Sequence, residues 1–349
     1  MRKSGHMRTY LNPIVLQRAD PWVIKHGDGY YFTGSDPRYD GIALRYAADL
    51  DGLQSAPEKT VWRRHESGPA SKYIWAPELH RIGDAWYIYF AAAETDFEDS
   101  GLPTHRMFVL ENVDEDPMSD HWVEKGQIVT PVDSFALDAT TFVHRGTQYL
   151  VWAQKDPAIE GNSNLYIAPM SDPWTLGGEP VMLSKPEYDW ECIDFLVNEG
   201  PAVLEHDGRI YITYSASGTG PAYAMGMLAA DTDADLLDPA SWTKSAQPVF
   251  RTCEANGQYG PGHNSFTKTK DGAQDIMVYH ARNYTDIDGD PLFDPNRHAR
   301  AQIVRWTADG PDFGVPEPDT LWTPKSVDVL PPDGGALAGT APVSSRKMA

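Results

Sequence analysis

Three carboxylates stand in phrases of one form. Asp20 lies in Arg18-Ala19-Asp20-Pro21, Asp138 in Leu137-Asp138-Ala139-Thr140 and Glu199 in Asn198-Glu199-Gly200-Pro201. Asn198 apart, each is flanked by small or apolar residues, so acids brought together from these phrases would be poorly solvated and electrostatically coupled. Such coupling splits pKa values. One carboxylate kept ionised beside one kept protonated is what acid/base cleavage of a glycosidic bond requires. Taken singly, each has an ordinary explanation. Asp20 before Pro21 suits a turn, Glu199 a solvated loop, and Asp138 a side-chain cap beside Thr140 or Thr141. Recurrence at equivalent points of a repeat argues against all three.

The repeat is a strand, a Gly or Asp turn, and a second strand rich in tyrosine. Trp22-Val23 leads through Gly27-Asp28-Gly29 to Tyr30-Tyr31-Phe32-Thr33, and Trp75-Ala76-Pro77-Glu78-Leu79 leads through Gly83-Asp84 to Trp86-Tyr87-Ile88-Tyr89-Phe90. Asp138 to Val143 runs to Tyr149-Leu150-Val151-Trp152, Glu199 to Leu204 runs to Ile210 to Tyr214, and His263 to Phe266 runs to Ile276 to Tyr279. Copies begin about 60 residues apart, room for four short strands, and long stretches of helical period are missing. Five copies predict an all-β, five-bladed β-propeller forming a single domain over residues 8–330. In such a ring the first strand of every blade lines a central channel. The phrase openings (Asp20, the Trp75/Glu78 pair, Asp138, Glu199 and His263) should therefore converge.

These residues resemble the family-43 glycoside hydrolases, five-bladed propellers acting mostly on arabinan and xylan. The three acidic phrases carry the resemblance together with Trp75-Ala76-Pro77-Glu78 and Gly262-His263-Asn264, from about Asn12 to about Pro331. It implies an inverting mechanism. Asp20 would be the general base acting on water, and Glu199 the general acid. Asp138 would stay ionised beside Glu199, raising its pKa and orienting it. An inverting pair leaves room for water, which sets Asp20 and Glu199 about 6.5–9.5 Å apart.

The sugar should meet aromatic faces and an arginine. Trp22, Trp75 and Phe195 flank the acidic phrases, though each would also serve as propeller core. The stretch from His280 to Tyr284, with Asp294 to Arg300, resembles arabinofuranosidase- and xylosidase-type members, and Arg300 is favoured over Arg297 as the sugar-binding arginine. Asp36 and Asp40 are further candidates for sugar hydroxyls. His263 is read two ways: as a metal-site residue near a structural calcium held through water, or as a hydrogen-bonded core histidine. One imidazole is a poor calcium site by itself, and the hydrolysis needs no cofactor.

The phrase through Tyr39-Asp40, and the inserts Glu94 to Leu102 and Asp286 to Arg297 that could wall off a groove, point to the exo-1,5-α-L-arabinofuranosidase branch. A β-xylosidase of the same fold is the alternative. A non-catalytic propeller that binds carbohydrate or protein is the alternative from another class. Composition excludes other partners. Of 349 residues, 50 are Asp or Glu and 29 Lys or Arg, a net charge of −21 that repels nucleic acid and anionic membranes. No apolar run reaches the roughly 18 residues a bilayer-spanning helix needs. An arabinose-containing polysaccharide or oligosaccharide is the expected partner. Cys192 and Cys253 read as reduced, buried thiols rather than a bridge. Residues 1–7 read as an expression scar and 331–349 as a flexible tail. Without an export signal the protein is expected in the cytoplasm, or outside the cell if a leader has been removed.

Overall fold

A computed structural model describes residues 10–96 and 104–320. The readings of residues 1–7 and 331–349, and most of the insert from Glu94 to Leu102, fall outside them. Five sheets are arranged as the blades of a propeller. The first blade is β1 (Ala19–His26), β2 (Gly29–Ser35), β3 (Gly41–Ala47) and β4 (Glu58–Arg63), antiparallel in sequence order. The second is β5 (Lys72–Ile82), β6 (Ala85–Ala93), β7 (Arg106–Asn112) and β8 (Val123–Gln127). The fourth is β14 (Asn198–His206), β15 (Arg209–Ala216), β16 (Ala224–Asp231) and β17 (Thr243–Lys244).

Two blades depart from the expected four strands. In the third, β9 (Ala136–His144), β10 (Thr147–Gln154) and β11 (Asn164–Asp172) are followed by two short pieces, β12 (Thr175–Leu176) and β13 (Val181–Ser184), that share the outer edge. The fifth has three strands: β18 (Tyr259–Lys268), β19 (Asp275–Arg282) and β20 (His298–Ile303). Its outer edge is covered by the N-terminal segment. Val15 bridges Ala299, and the Asn12 carboxamide both donates to the Ala301 carbonyl (3.0 Å) and accepts from its N–H (2.9 Å). One side chain thus supplies the two hydrogen bonds of a missing strand residue and closes the ring. A hairpin, β21 (Arg305–Thr307) and β22 (Gly310–Asp312), follows. Among the described residues there is no α-helix, only short 3-10 turns.

The tyrosine-rich second strands are buried on both faces because each sheet is stacked between two others. Ile88, Phe90 and Trp86 pack with Ile42 and Leu44 of the first blade, while Tyr89 packs with Leu150 and Trp152 of the third. Ile276 and Val278 of the fifth blade meet Tyr30 and Phe32 of the first, completing the circle. The turns use the expected chemistry. Asp207-Gly208, for example, has both residues at positive φ (46° and 76°), the two-residue turn whose twist suits a hairpin.

Candidate active site

Every first strand carries the same defect. Its pairing with the second strand slips where two residues oppose one, a β-bulge. The slips fall between Ala19 and Trp22, Trp75 and Glu78, Leu137 and Thr140, Glu199 and Ala202, and Gly262 and Ser265. The first bulged residue is left-handed each time: Asp20 (φ 53°), Ala76 (45°), Asp138 (57°), Gly200 (55°) and His263 (44°). Holding a non-glycine residue there costs on the order of 1–3 kcal/mol, a strain that folds retain where geometry is used. The bulge brings Asp20, Asp138 and His263 to the cavity, and from the position before it Trp75, Leu137 and Glu199.

The result is a cavity of about 520 Å³ lined by Asp20, Trp75, Leu137, Asp138, Glu199, His263 and Arg297 among others. The equivalents of Asp20 are therefore Ala76 and Gly200 rather than Glu78 and Glu199. Glu199 comes one position earlier, level with Trp75 and Leu137. Glu78 does not line the cavity: it is buried, pairs with His80 (2.8 Å), and burial pushes its carboxyl well up. Gly200 has a packing reason to be glycine. A Cβ there would stand 2.9 Å from the His263 ring, and its N–H donates to Asp138 Oδ2 (3.0 Å).

Asp20 is the most heavily supported group. Its Oδ2 accepts from the Ser35 hydroxyl (2.5 Å), whose oxygen accepts from the Ala76 N–H (2.8 Å). Its Oδ1 faces His263 Nδ1 at 3.2 Å and Arg297 Nη1 at 3.5 Å, and its N–H donates to His280 Nδ1 (3.0 Å). Burial alone would raise this carboxyl, but His263, Arg297 and His280 hold it well below the usual carboxylate range. Burial lowers both imidazoles, His280 to about 3, so the charge that persists at neutral pH is that of Arg297.

Glu199 has the opposite setting. Burial and the nearby Asp20 charge push it up to about 7, against the Tyr223 hydroxyl, which donates to its Oε1 at 2.8 Å. Asp138, expected to stay ionised beside Glu199, is also pushed upward. Burial, Glu199 and Asp20 together push it well above the ordinary value, opposed by the Gly200 N–H and Arg297. Burial and mutual repulsion push two of the three carboxyls facing Arg297 up, while Asp20 is held down.

The other expected residues divide. Trp75 and Phe195 line the cavity; Trp75 stacks on His105 (3.7 Å between centroids), and Phe195 is 54% exposed at the rim. Trp22 is turned away: it packs between the first two blades against His80 and donates to the Leu79 carbonyl (2.7 Å). Asp36 is likewise structural, joined to Arg38 (2.9 Å) and Arg18 (3.3 Å), and Asp40 faces Arg63 (3.7 Å). Arg300 is wholly buried on Asp319 (2.7 Å) and the Ala281 and His298 carbonyls, so Arg297 is the arginine at the cavity. His263 lines the cavity, with the Asp138 carboxylate 4.0 Å away. Among the described residues no three His, Cys, Asp or Glu side chains group to hold a metal, and the carboxylates nearest His263 are already engaged, so these residues do not by themselves form a calcium site. Cys192 and Cys253 are free and half-buried rather than buried. Ser35 and Tyr223 carry no signal in the sequence, since each lies at the end of a second strand or in the loop beyond it, in ordinary composition; Tyr39 and His280 fall in the stretches that carry the resemblance, but their contacts with Asp20's support are visible only in the fold.

Comparison with known proteins agrees with this architecture. The glycosyl hydrolases family 43 model matches residues 10–311. An extracellular exo-α-(1→5)-L-arabinofuranosidase of Streptomyces avermitilis is 55% identical over 313 residues, 89% of this chain and 64% of that protein. The chain thus spans somewhat under two-thirds of that relative. One of the same name from Streptomyces chartreusis is 52% identical over 283 residues, 81% of this chain and 85% of that protein. The crystal structure of an α-L-arabinofuranosidase from Lactobacillus brevis superimposes with a TM-score of 0.88 at 56% identity, covering 90% of this chain and 98% of that one. The five bulged strands and their acids are those of a chain that belongs to glycosyl hydrolases family 43.

Proposed function

We propose that the protein is an inverting, exo-acting α-L-arabinofuranosidase that releases terminal α-L-arabinofuranosyl residues from arabinan or arabino-oligosaccharides. The observation that carries this is the opposed electrostatics of two carboxyls in one cavity: Asp20 held as the anion and Glu199 held as the acid. Asp20 takes a proton from water as the water oxygen bonds to the anomeric carbon. The glycosidic bond breaks, and its oxygen receives the proton of Glu199. Asp138, fixed by the Gly200 N–H, orients Glu199 and is coupled to it, while Arg297 keeps Asp20 charged. Trp75, Phe135 and Leu292 offer the apolar lining that a sugar face requires. The names of the relatives support the arabinofuranosyl substrate. Two of them are named extracellular, which favours the secreted alternative over a cytoplasmic location. A hydrated calcium near His263 rests on the family resemblance alone and has no part in these steps.

Two substitutions test the roles. Asp20→Asn should lower kcat/KM about a hundred- to ten-thousand-fold on both 4-nitrophenyl α-L-arabinofuranoside and arabinobiose. Glu199→Gln should lose as much on arabinobiose but far less on the nitrophenyl glycoside, because nitrophenolate departs without a proton. Equal losses on both substrates would remove Glu199 as the acid. Turnover of nitrophenyl xyloside alone would make the protein a β-xylosidase, and no turnover of any glycoside would favour a binding propeller.

A further inference from the structure

Two walls of the cavity come from different blades and meet behind it. One is the loop after β15, where Ser217, Gly218 and Thr219 line the cavity. The other is the strap between β19 and β20, which contributes Asp290, Leu292 and Arg297. The strap has few means of holding itself in place, since it carries only a single 3-10 turn (Pro291–Phe293). Besides a few bonds within itself, its position depends on bonds to groups outside it.

Arg282, the last residue of β19, supplies two such bonds and a third to the other wall. The side chain is 2% exposed and does not line the cavity. Its Nη1 donates to the Thr219 carbonyl (2.6 Å), its Nη2 to the Pro291 carbonyl (2.5 Å) and its Nε to Asp294 Oδ1 (3.1 Å). Asp294 is in turn gripped by the Tyr284 hydroxyl (2.9 and 2.7 Å) and the Asn296 N–H (2.9 Å). One planar, five-donor group therefore ties the blade-four wall to the strap. A lysine ammonium is a point charge and lacks the fork that spans these three acceptors. On its far side the strap is tied once more: the Tyr39 hydroxyl donates to the Leu292 carbonyl (2.6 Å) and accepts from Arg297 Nη2 (3.0 Å). The wall and the support of Asp20 are thus one connected structure.

We propose that Arg282 is a specificity-determining positioning residue: by tying Thr219 to Pro291 and Asp294 it keeps one end of the cavity shut, so that terminal rather than internal arabinofuranosyl units are accepted. The proposal rests on the exo-acting reading above. Arg282 touches no substrate, so its loss should act on binding and on cleavage position more than on the chemical step.

The test uses the full-length protein, with wild type, Arg282→Lys and Asp294→Asn compared side by side. Folding is checked by circular dichroism and thermal unfolding. KM and kcat are measured on 4-nitrophenyl α-L-arabinofuranoside, and early products from linear arabinan are separated by anion-exchange chromatography. Wild type should release arabinose alone. Arg282→Lys should raise KM about tenfold with kcat within about threefold, the pattern of lost ground-state binding, and should release short arabino-oligosaccharides as well. Asp294→Asn, which keeps the arginine and its packing, should shift both readouts in the same direction by less, and it carries the test if Arg282→Lys does not fold. A folded variant with wild-type KM and arabinose as its sole product overturns the proposal. Wild type that releases no sugar overturns instead the reading on which it stands.

Discussion

Asp20 and Glu199 differ in their surroundings, not in their chemistry. The first is ringed by Ser35, His263, His280 and Arg297; the second has, among the described residues, the donor Tyr223. This asymmetry sets the pH dependence. With Glu199 as the proposed acid, kcat/KM should fall on the alkaline side through pH about 7, as an apparent value belonging to the coupled carboxyls. The Tyr223 hydroxyl stabilises the ionised form of Glu199 and so lowers its pKa. Tyr223→Phe removes that donor, and the alkaline limb should move to higher pH. A pH–rate profile on an arabino-oligosaccharide measures it; a limb that stays in place or moves down would contradict the assignment. The acids could be found in the sequence because they sit in short phrases of small residues that recur. The arginine could not. Arg297 and Arg300 lie three residues apart, and only the strap's path shows that the first reaches Asp20 while the second is spent on Asp319. Trp22 was misplaced for a related reason: it follows the bulge, and a one-residue slip reverses which face a side chain takes.

At the scale of the strand, the recurring unit is the bulge rather than the acid. Asp20, Ala76, Asp138, Gly200 and His263 occupy one structural position in five blades, and only two of the five are acidic. Small residues at two positions leave space that His263 and the substrate can use. The strand–turn–strand phrases were readable from alternation and turn residues, and so was their number. The division of the third blade's edge and the closure of the fifth were not, because a strand made by one side chain has no periodicity. Asn12 performs that closure. Asn12→Ala would leave the Ala301 N–H and carbonyl without their partner, at a cost of about 1–3 kcal/mol. The thermal unfolding midpoint should drop, with activity at moderate temperature kept, since Asn12 sits against the outer strand of the fifth blade and does not line the cavity. An unchanged midpoint would mean that the ring closes by other contacts.

Across the whole molecule, five interblade cores hold the strands in a circle, and the circle brings residues from different blades to one point. Asp20, Asp138 and Glu199 belong to the first, third and fourth blades, and the strap that shields them comes from the fifth. The charge of −21 takes no direct part in this; it excludes anionic partners and leaves an uncharged glycan as a suitable one. What the arrangement should accomplish is a single displacement at the anomeric carbon, with water activated by Asp20 on one face and the leaving oxygen protonated by Glu199 on the other. Proton NMR of the sugar first released from an α-L-arabinofuranoside, recorded before mutarotation, tests this most directly. The account predicts the β anomer of arabinofuranose as the initial product; the α anomer would mean retention and would contradict it.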